Sequence, residues 1–314
     1  MDEVDRIERR LKLRDLRVLM SVVQHGSMVK AAEHLGTSQP AVSRTISDLE
    51  QSLGLRLLDR SPQGIVPTPY GHALMKRSVC VFDELRQGVK DLEFLADPTS
   101  GEVRIAAAIA IAAGFATAVI DRLARRFPRV VCHLIVDQSL TFWTLEERHA
   151  DLFIVRLVEP IDNDMMEAEF LYEDALCVVA SAKSPWFRRR KLTLADLMNE
   201  PWVLPPPDHP LGAEFAEVFR RLGLDLPLAT VVTATGIARI ALVARGRFLT
   251  MASRHVVMSV GKDLPIKVLP INLPETSKPL AIIKLKNRTL TAVAQLFIDY
   301  ARDVAKPLAL GKSV

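Results

Sequence analysis

The sequence predicts an α/β protein that begins with an all-α domain. Three observations support this: glycine-broken helical patterns before residue 55, an unbroken helical pattern over 70–96, and strand patterns that alternate with helices from residue 103 onward. The 314 residues suffice for several cores. We expect an N-terminal domain at 1–69, a linker helix at 70–96, a hinge at 97–101, one lobe from 102–172 with 271–306, and a second lobe from 173–270.

Composition narrows the function classes. Apolar residues make up 49% and charged residues 25%, as in a globular protein. No apolar run reaches the about 20 residues of a membrane helix, and the charged start lacks a signal-peptide core. We therefore expect a cytoplasmic protein outside the membrane. Its three cysteines are scattered, so we expect no metal site, and we expect no cofactor.

The positive charge is concentrated near the N-terminus. Residues 12–77 contain nine basic and five acidic side chains, a net charge of +4, and the whole chain also carries +4. The rest of the chain therefore sums to zero. A basic N-terminal domain is suited to phosphate groups of nucleic acid.

The first 54 residues predict three helices. Helices at 13–25 and 28–35 end at glycines, Ser27 is an N-cap candidate, and a third helix starts near Ser38 and stops at Gly54. Helices joined by Gly36-Thr37-Ser38 form a helix-turn-helix. Its second helix presents polar side chains that suit base edges or phosphates, namely Gln39, Ser43, Arg44 and Ser47.

A turn-rich segment follows these helices. Residues 57–68 predict a short hairpin, or wing, that carries Arg60. The alternative for the polar helix face is solvent exposure in an ordinary three-helix bundle. The wing makes this alternative less favourable, because a wing supplies phosphate or minor-groove contacts.

The linker helix has an apolar stripe. Spacings of four and three along 74–95 indicate a coiled-coil seam with Leu74, Val81, Leu85 and Leu92 as its apolar members. A helix packed on its own domain is the alternative. We prefer a homodimer, because two reading heads can bind a palindrome.

The segment from Leu13 to Gly71 closely resembles the DNA-binding domain of LysR-type transcriptional regulators. The stretches KAAEHLG, SQPAVSR, LEQSLG and TPYG match that family's landmarks in order. The resemblance implies promoter DNA as partner, extension of the dimer to a homotetramer, and RNA polymerase as a further partner. Family positions that match Ser38, Gln39, Pro40, Ser43 and Arg44 lie at or near DNA, and Arg60 matches the wing arginine. With Ser27 and Ser47, these residues form our predicted DNA-contact set.

The remaining chain predicts parallel α/β layers in two lobes. The chain is expected to cross between lobes near residues 170 and 270, which makes a hinged clamshell. The resemblance extends to the family's effector domain, which is similar to periplasmic binding proteins. Ligands of such lobes bind at the carboxyl ends of strands. Loops there offer our candidate effector-binding residues Ala110, Gln138, Ser139, Arg156, Pro206, Thr233 and Thr235.

The candidate effector residues have different expected roles. Gln138, Ser139 and the two threonines can hydrogen-bond a ligand, and Arg156 can pair with a carboxylate. Alternatively, Ser139 and Thr235 only cap helices and Arg156 only forms a salt bridge. Ala110 falls where many family members have Ser or Thr, which favours a more apolar ligand over the common carboxylates. The effector is an organic acid or another small metabolite.

Three functions compete at this point. The first is an effector-controlled, sequence-specific transcription regulator. The second is an architectural DNA-binding protein with a degenerate sensor, suggested by Ala110 and by Arg247-Phe248. The third is an enzyme, which we reject because no nucleophile elbow, nucleotide-binding glycine loop or zinc motif occurs. Cys132 and His133 are neighbours on a strand and therefore point to opposite faces.

Overall fold

The computed structural model describes residues 11–61, 64–137, 142–259, 261 and 263–309. The chain divides into two compact units, residues 1–86 and 87–314. The boundary lies inside the linker helix rather than at either of its ends. Each unit has its own hydrophobic core.

The first unit contains the three expected helices, α1 (Leu13–His25), α2 (Met28–His34) and α3 (Gln39–Leu53). Gly26 ends α1 in the left-handed conformation with φ of 63°, which glycine adopts without a steric penalty. Ser27 Oγ then accepts a 3.5 Å hydrogen bond from Lys30 N at the start of α2. Ala31 and Ala32 are buried in this core, and such small side chains allow α2 and α3 to pack closely.

Strands β1 (Leu58–Ser61) and β2 (Gly64–Pro67) pair antiparallel and form the predicted wing. Glu50 of α3 fixes its beginning, because Oε1 accepts hydrogen bonds from Leu57 N at 2.7 Å and Leu58 N at 3.1 Å. Ile65 N donates to Gly26 O at 3.0 Å. The wing is therefore attached both to α3 and to the turn before α2.

The Thr-Pro-Tyr-Gly motif connects the wing to the next helix. Thr68 Oγ1 donates to Arg56 O at 2.7 Å and accepts from Gly71 N at 3.1 Å. A Cβ on Gly71 would lie 2.1 Å from Leu57 O. Only glycine fits at this position, which is the physical reason for the spacing of the motif.

Helix α4 (Pro69–Ala96) is the linker helix. Leu74, which the spacing assigned to the dimer seam, packs half-buried against the core of the first unit. This contact favours the alternative of packing on its own domain for Leu74, and its place in the dimer seam stays a prediction. The heptad pattern could not distinguish the two partners, because both are apolar.

In the second unit, one lobe is built on a five-stranded sheet of order β4-β3-β5-β12-β6. Its strands are β3 (Ser100–Ala107), β4 (Arg129–Val136), β5 (Leu152–Arg156), β6 (Met166–Asp174) and β12 (Lys278–Leu285). Strand β3 pairs parallel with β4 and β5, whereas β12 pairs antiparallel with β5 and β6. The expected parallel arrangement holds for β3, β4 and β5, and the antiparallel strand β12 joins them when the chain returns from the other lobe.

The helices of this lobe are α5 (Ile109–Ile111), a π-helical turn (Ala112–Ala116), α6 (Thr117–Arg126), α7 (Trp143–Glu146) and α11 (Ala292–Ala309). Phe115 and Phe297 are fully buried in its core. Strand β6 was not predicted, since most of its side chains are not buried and four of its nine residues are acidic.

The second lobe contains an antiparallel sheet of order β10-β7-β11 and a parallel pair β8-β9. Its strands are β7 (Leu176–Ser181), β8 (Trp202–Leu204), β9 (Ala229–Val232), β10 (Thr250–Ser253) and β11 (Ile266–Val268). Its α-helices are α8 (Pro210–Arg221), α9 (Gly236–Ala244) and α10 (Arg254–Ser259). Two short 3-10 helices, Pro185–Arg188 and Ala195–Leu197, precede β8.

Two connections join the lobes. Strand β6 ends at Asp174 and β7 begins at Leu176, while the return runs from β11 to β12. Asp174 is buried and accepts hydrogen bonds from Ser253 Oγ and from His255 N. The outward crossing is therefore tied to the start of α10.

Candidate functional site

The first candidate site is the outer face of α3. Ser38, Gln39, Pro40, Arg44 and Ser47 are exposed, and Ser43 is half-buried. Val42, Ile46 and Leu49 form the buried opposite face. Arg44 makes no ion pair with any residue that the structure describes. This face is open to a duplex.

Two further members of the predicted DNA-contact set stand apart. Ser27 is half-buried and caps α2 through its Oγ. Arg60 lies in β1 opposite Ile65, and its side chain falls outside the part that the structure describes. Since neither residue lies on α3, the exposure of that helix says nothing about their contact with DNA, which stays a prediction.

The second candidate site is an apolar stripe along α4. Val81, Leu85, Val89, Leu92 and Leu95 are all exposed, and the exposed fraction reaches 77% at Leu95. In the second unit, the opposite side of the helix is occupied, because Lys90 Nζ lies 2.9 Å from Glu102 Oε1 and Phe94 packs against the core of the first lobe. An unpartnered apolar face on a helix with a packed opposite face is suited to self-association.

The third candidate site is a cleft between the two lobes of the second unit. It encloses a cavity of about 160 Å³. Strands and helix starts of both lobes contribute to its wall, which is mostly apolar: Ala108, Ile109, Ala110, Ile111, Val155, Val158, Leu176, Ala234, Ile240, Ala252 and Val256. Ala110 thus lies where the sequence placed it, and the surrounding wall is as apolar as Ala110 suggested.

Several predicted cleft residues lie elsewhere. Among the described residues, the cavity wall contains His209, Ala234 and Gly236, and it does not contain Pro206, Thr233 or Thr235. The carbonyl oxygen of Pro206 lies against the first turn of α8 instead. It accepts a hydrogen bond from His209 N at 3.1 Å, and it is so close to Gly212 that a Cβ there would lie 1.9 Å away.

The two threonines form a local turn, because Thr233 Oγ1 accepts a hydrogen bond from Thr235 N at 3.2 Å. Ala234 of this loop lines the cavity, whereas the two threonines are not part of its described wall. Gln138 and Ser139 lie outside the described residues.

Arg156 lines the cavity but is already paired. Its two terminal nitrogens donate to Glu214 Oε2 at 2.8 Å and Oε1 at 2.9 Å, and further donations go to Asp174 O at 3.0 Å and Thr276 O at 2.7 Å. The predicted role as the carboxylate partner of a ligand was wrong. Arg156 joins β5 of one lobe to α8 of the other by a buried bidentate salt bridge.

Arg239 is the cation that the sequence reasoning missed. It lies in α9, is only 4% exposed, and lines the cavity. One terminal nitrogen donates to Thr233 O and Ala234 O, both at 3.1 Å, and its guanidinium carbon lies 5.7 Å from the Phe215 ring centroid.

The electrostatics of Arg239 are unusual. No described residue accepts a hydrogen bond from its Nε, which is buried. Burial lowers the pKa of Arg239 to about 10. The available signal was a single arginine within the otherwise apolar GIARIALVA helix.

The described residues offer no metal centre and no disulfide. No group of three His, Cys, Asp or Glu side chains among them could hold a metal ion. Burial raises the pKa of the Cys177 thiol to about 12, with a smaller upward contribution from Asp174. Cys132 packs against the core while His133 lies 3.2 Å from Glu102, so the two do not form a dyad. None of the helices in the described part is long and apolar enough to cross a membrane.

A winged helix-turn-helix, a helix with an exposed apolar face, and two lobes around a cleft together define a DNA-binding regulator with a sensor domain. Comparison with known proteins agrees. Residues 13–72 match the bacterial regulatory helix-turn-helix protein of the lysR family, and residues 96–306 match the LysR substrate binding domain. The chain belongs to the LysR family of transcriptional regulators.

Individual relatives cover most of the chain. The HTH-type transcriptional regulator GbpR of Azospirillum brasilense is 28% identical over 92% of this chain and 85% of its own length. The SDS degradation transcriptional activation protein of a Pseudomonas species is 30% identical over 90% of this chain and 93% of its own length.

Solved structures share the fold. Full-length CbnR in complex with its target DNA has a TM-score of 0.55 at 21% identity and covers 94% of this chain and all of that chain. Full-length OxyR from Pseudomonas aeruginosa has a TM-score of 0.63 at 19% identity and covers 94% of this chain and 95% of that one.

Proposed function

We propose that this regulator reads promoter DNA through the outer face of α3, with Gln39, Ser43, Arg44 and Ser47 at base edges and with Ser38 and Pro40 at the backbone. The observation that carries the proposal is the open polar end of α3 above a fully packed core. Arginine and glutamine make bidentate contacts to guanine and adenine in the major groove. Ser27 and Arg60 complete the proposed contact set at the start of α2 and on the wing.

Two copies are needed to read a palindrome. The exposed stripe from Val81 to Leu95 supplies an interface for a second copy, and we propose a homodimer that assembles further into a homotetramer. The structure of CbnR with its target DNA supports the DNA partner by likeness of fold. RNA polymerase is the further partner that a transcription regulator requires, and the cytoplasm is the compartment in which it would work.

Effector binding in the cleft supplies the control. A ligand held between two lobes must favour one lobe arrangement over another to change the protein's behaviour. The cavity supports a working sensor over an architectural protein with a degenerate one. Nothing in its wall suggests catalysis, so we propose a binding function.

A gel-shift series against the DNA upstream of its own gene tests the proposal. Arg44→Ala should weaken binding, while Arg125→Ala, which removes the same charge from an exposed position on α6, should leave it unchanged. Equal binding by both variants, or no preference for the upstream DNA over unrelated DNA at moderate salt, would refute the proposed interface.

A further inference from the structure

The polar groups on the cavity wall are almost all engaged. Thr250 Oγ1 donates to Val203 O at 2.8 Å, Ser253 Oγ donates to Asp174, and Arg156 is paired with Glu214. Glu214 is therefore not available as an acceptor for a ligand. The wall has few polar groups left that could contact a guest molecule.

The groups that remain are donors. The guanidinium group of Arg239 is buried and has no carboxylate partner among the described residues. His209 Nδ1 accepts a 3.2 Å hydrogen bond from Leu211 N, so in the neutral ring the proton lies on Nε2 and can be donated. Helix α9 also begins at this cavity, with Gly236 in its wall, and a helix N-terminus favours negative charge.

A buried cation without a partner is costly, because it has lost hydration and gained no opposite charge. An anion bound beside Arg239 would restore that interaction through two parallel hydrogen bonds. Only the ligand-bound protein gains this stabilisation. Binding of an anion beside Arg239 is therefore favoured over leaving the cavity empty.

The rest of the wall restricts the body of the ligand. Ala110, Ile111, Val155 and Val256 offer no hydrogen-bonding side chains, so a second charged group would be desolvated without compensation. The cavity has a volume of about 160 Å³. An engineered apolar cavity of about 150 Å³ in another protein binds benzene, so the two are of similar size. A single ring or a branched chain of comparable size fills it.

We infer that the effector of this regulator is a small organic acid with one carboxylate and an apolar body, held by Arg239 rather than by Arg156. The inference rests on the proposed function, since it names the ligand class of the same cleft. Arg239 binds the carboxylate, His209 is placed to donate a further hydrogen bond, and the aliphatic wall encloses the body.

Isothermal titration calorimetry on the full-length protein tests this inference with three probes that share one ring: benzoate, its near-isosteric neutral amide benzamide, and phthalate, which adds a second carboxylate. Benzoate should bind at least about tenfold more tightly than either of the others, which corresponds to about 1.4 kcal/mol. The wild-type protein alone can overturn the inference. It would do so if benzamide bound as tightly as benzoate, or if benzoate did not bind at millimolar concentration.

Substitutions of Arg239 then test whether this residue holds the carboxylate. Arg239→Met keeps an apolar stem of similar length and should abolish the preference for benzoate over benzamide. Arg245→Met, an exposed arginine at the C-terminal end of the same helix, should keep it. Arg239→Lys retains the charge without the fork and should keep part of the preference. A full preference in Arg239→Met would overturn the assignment.

The same preparations are then assayed by gel shift. Retained DNA binding without a benzoate preference contradicts only the ligand class. Loss of specific DNA binding in the unliganded wild-type protein contradicts the proposed function instead.

Discussion

The buried bridge between Arg156 and Glu214 provides a quantitative test of how the lobes are held together. Both side chains are less than one-tenth exposed, and the guanidinium also donates to two backbone carbonyls. Glu214→Gln preserves shape but places an amide NH2 group or a neutral oxygen where two carboxylate oxygens accept. The arginine then keeps its charge in a buried site without a counter-ion.

Removing one partner of a buried ion pair costs about 3–5 kcal/mol. The expected loss lies in this range because the contacts are bidentate, at 2.8 and 2.9 Å, and shielded from water. Arg156→Met combined with Glu214→Leu removes both charges and should destabilise less than Glu214→Gln alone. The double variant still loses two donations to carbonyls, so it should not exceed the stability of wild type.

Urea unfolding followed by tryptophan fluorescence measures these differences. Trp202 is fully buried, and its ring centroid lies 5.5 Å from that of Phe219 on α8, so it reports on the lobe that contains Glu214. Glu217→Gln is the control, because Glu217 lies on the same helix and pairs with exposed Arg220. A change below about 0.5 kcal/mol for Glu214→Gln would match an ordinary surface substitution and would refute the argument.

Further perturbations test the other parts of the molecule. Arg44→Ala should lower the affinity for operator DNA by about 1–3 kcal/mol, measured by gel shift, and an unchanged affinity would remove it from the interface. Leu85→Asp should shift sedimentation toward the monomer, because a charge would enter the apolar stripe; an intact dimer or tetramer would contradict the seam. Gly71→Ala should destabilise the first unit by about 1–3 kcal/mol or more, since its Cβ would meet Leu57 O at 2.1 Å; Gly88→Ala, with open space around its Cβ, should not, and equal melting temperatures would contradict this. Burial lowers the pKa of His255 below its ordinary 6.5, with Asp174 opposing the shift. The unfolded chain therefore binds the proton first, and stability should fall as pH drops through about 6.5 and below; His255→Phe should flatten this dependence in thermal melts, and an unaltered slope would exclude His255 as its source.

Local signals explain why the first unit was predicted well. The glycines at 26, 36 and 54, the cap at Ser27 and the apolar spacing along α1 and α3 act within a few residues of each other. The wing and the Thr68–Gly71 contact likewise join residues close in the chain. These elements are determined by short-range hydrogen bonds and backbone conformation, which a single sequence displays.

The cleft depended on contacts between distant residues. Arg156 was the only cation predicted for the cleft from the sequence. Only the tertiary structure shows that Glu214, 58 residues away, already pairs with Arg156, while Arg239 has no carboxylate partner among the described residues. The mixed direction of the sheet has the same origin, since β12 reaches β5 and β6 only after the chain has built the second lobe. The sequence by itself determined that a two-lobed α/β sensor domain follows the linker helix, and that Ala110 leaves one of its loops without a hydroxyl. Which charge stays unpaired depended on packing between the lobes, because the free energy of a buried ion is set by its neighbours in space.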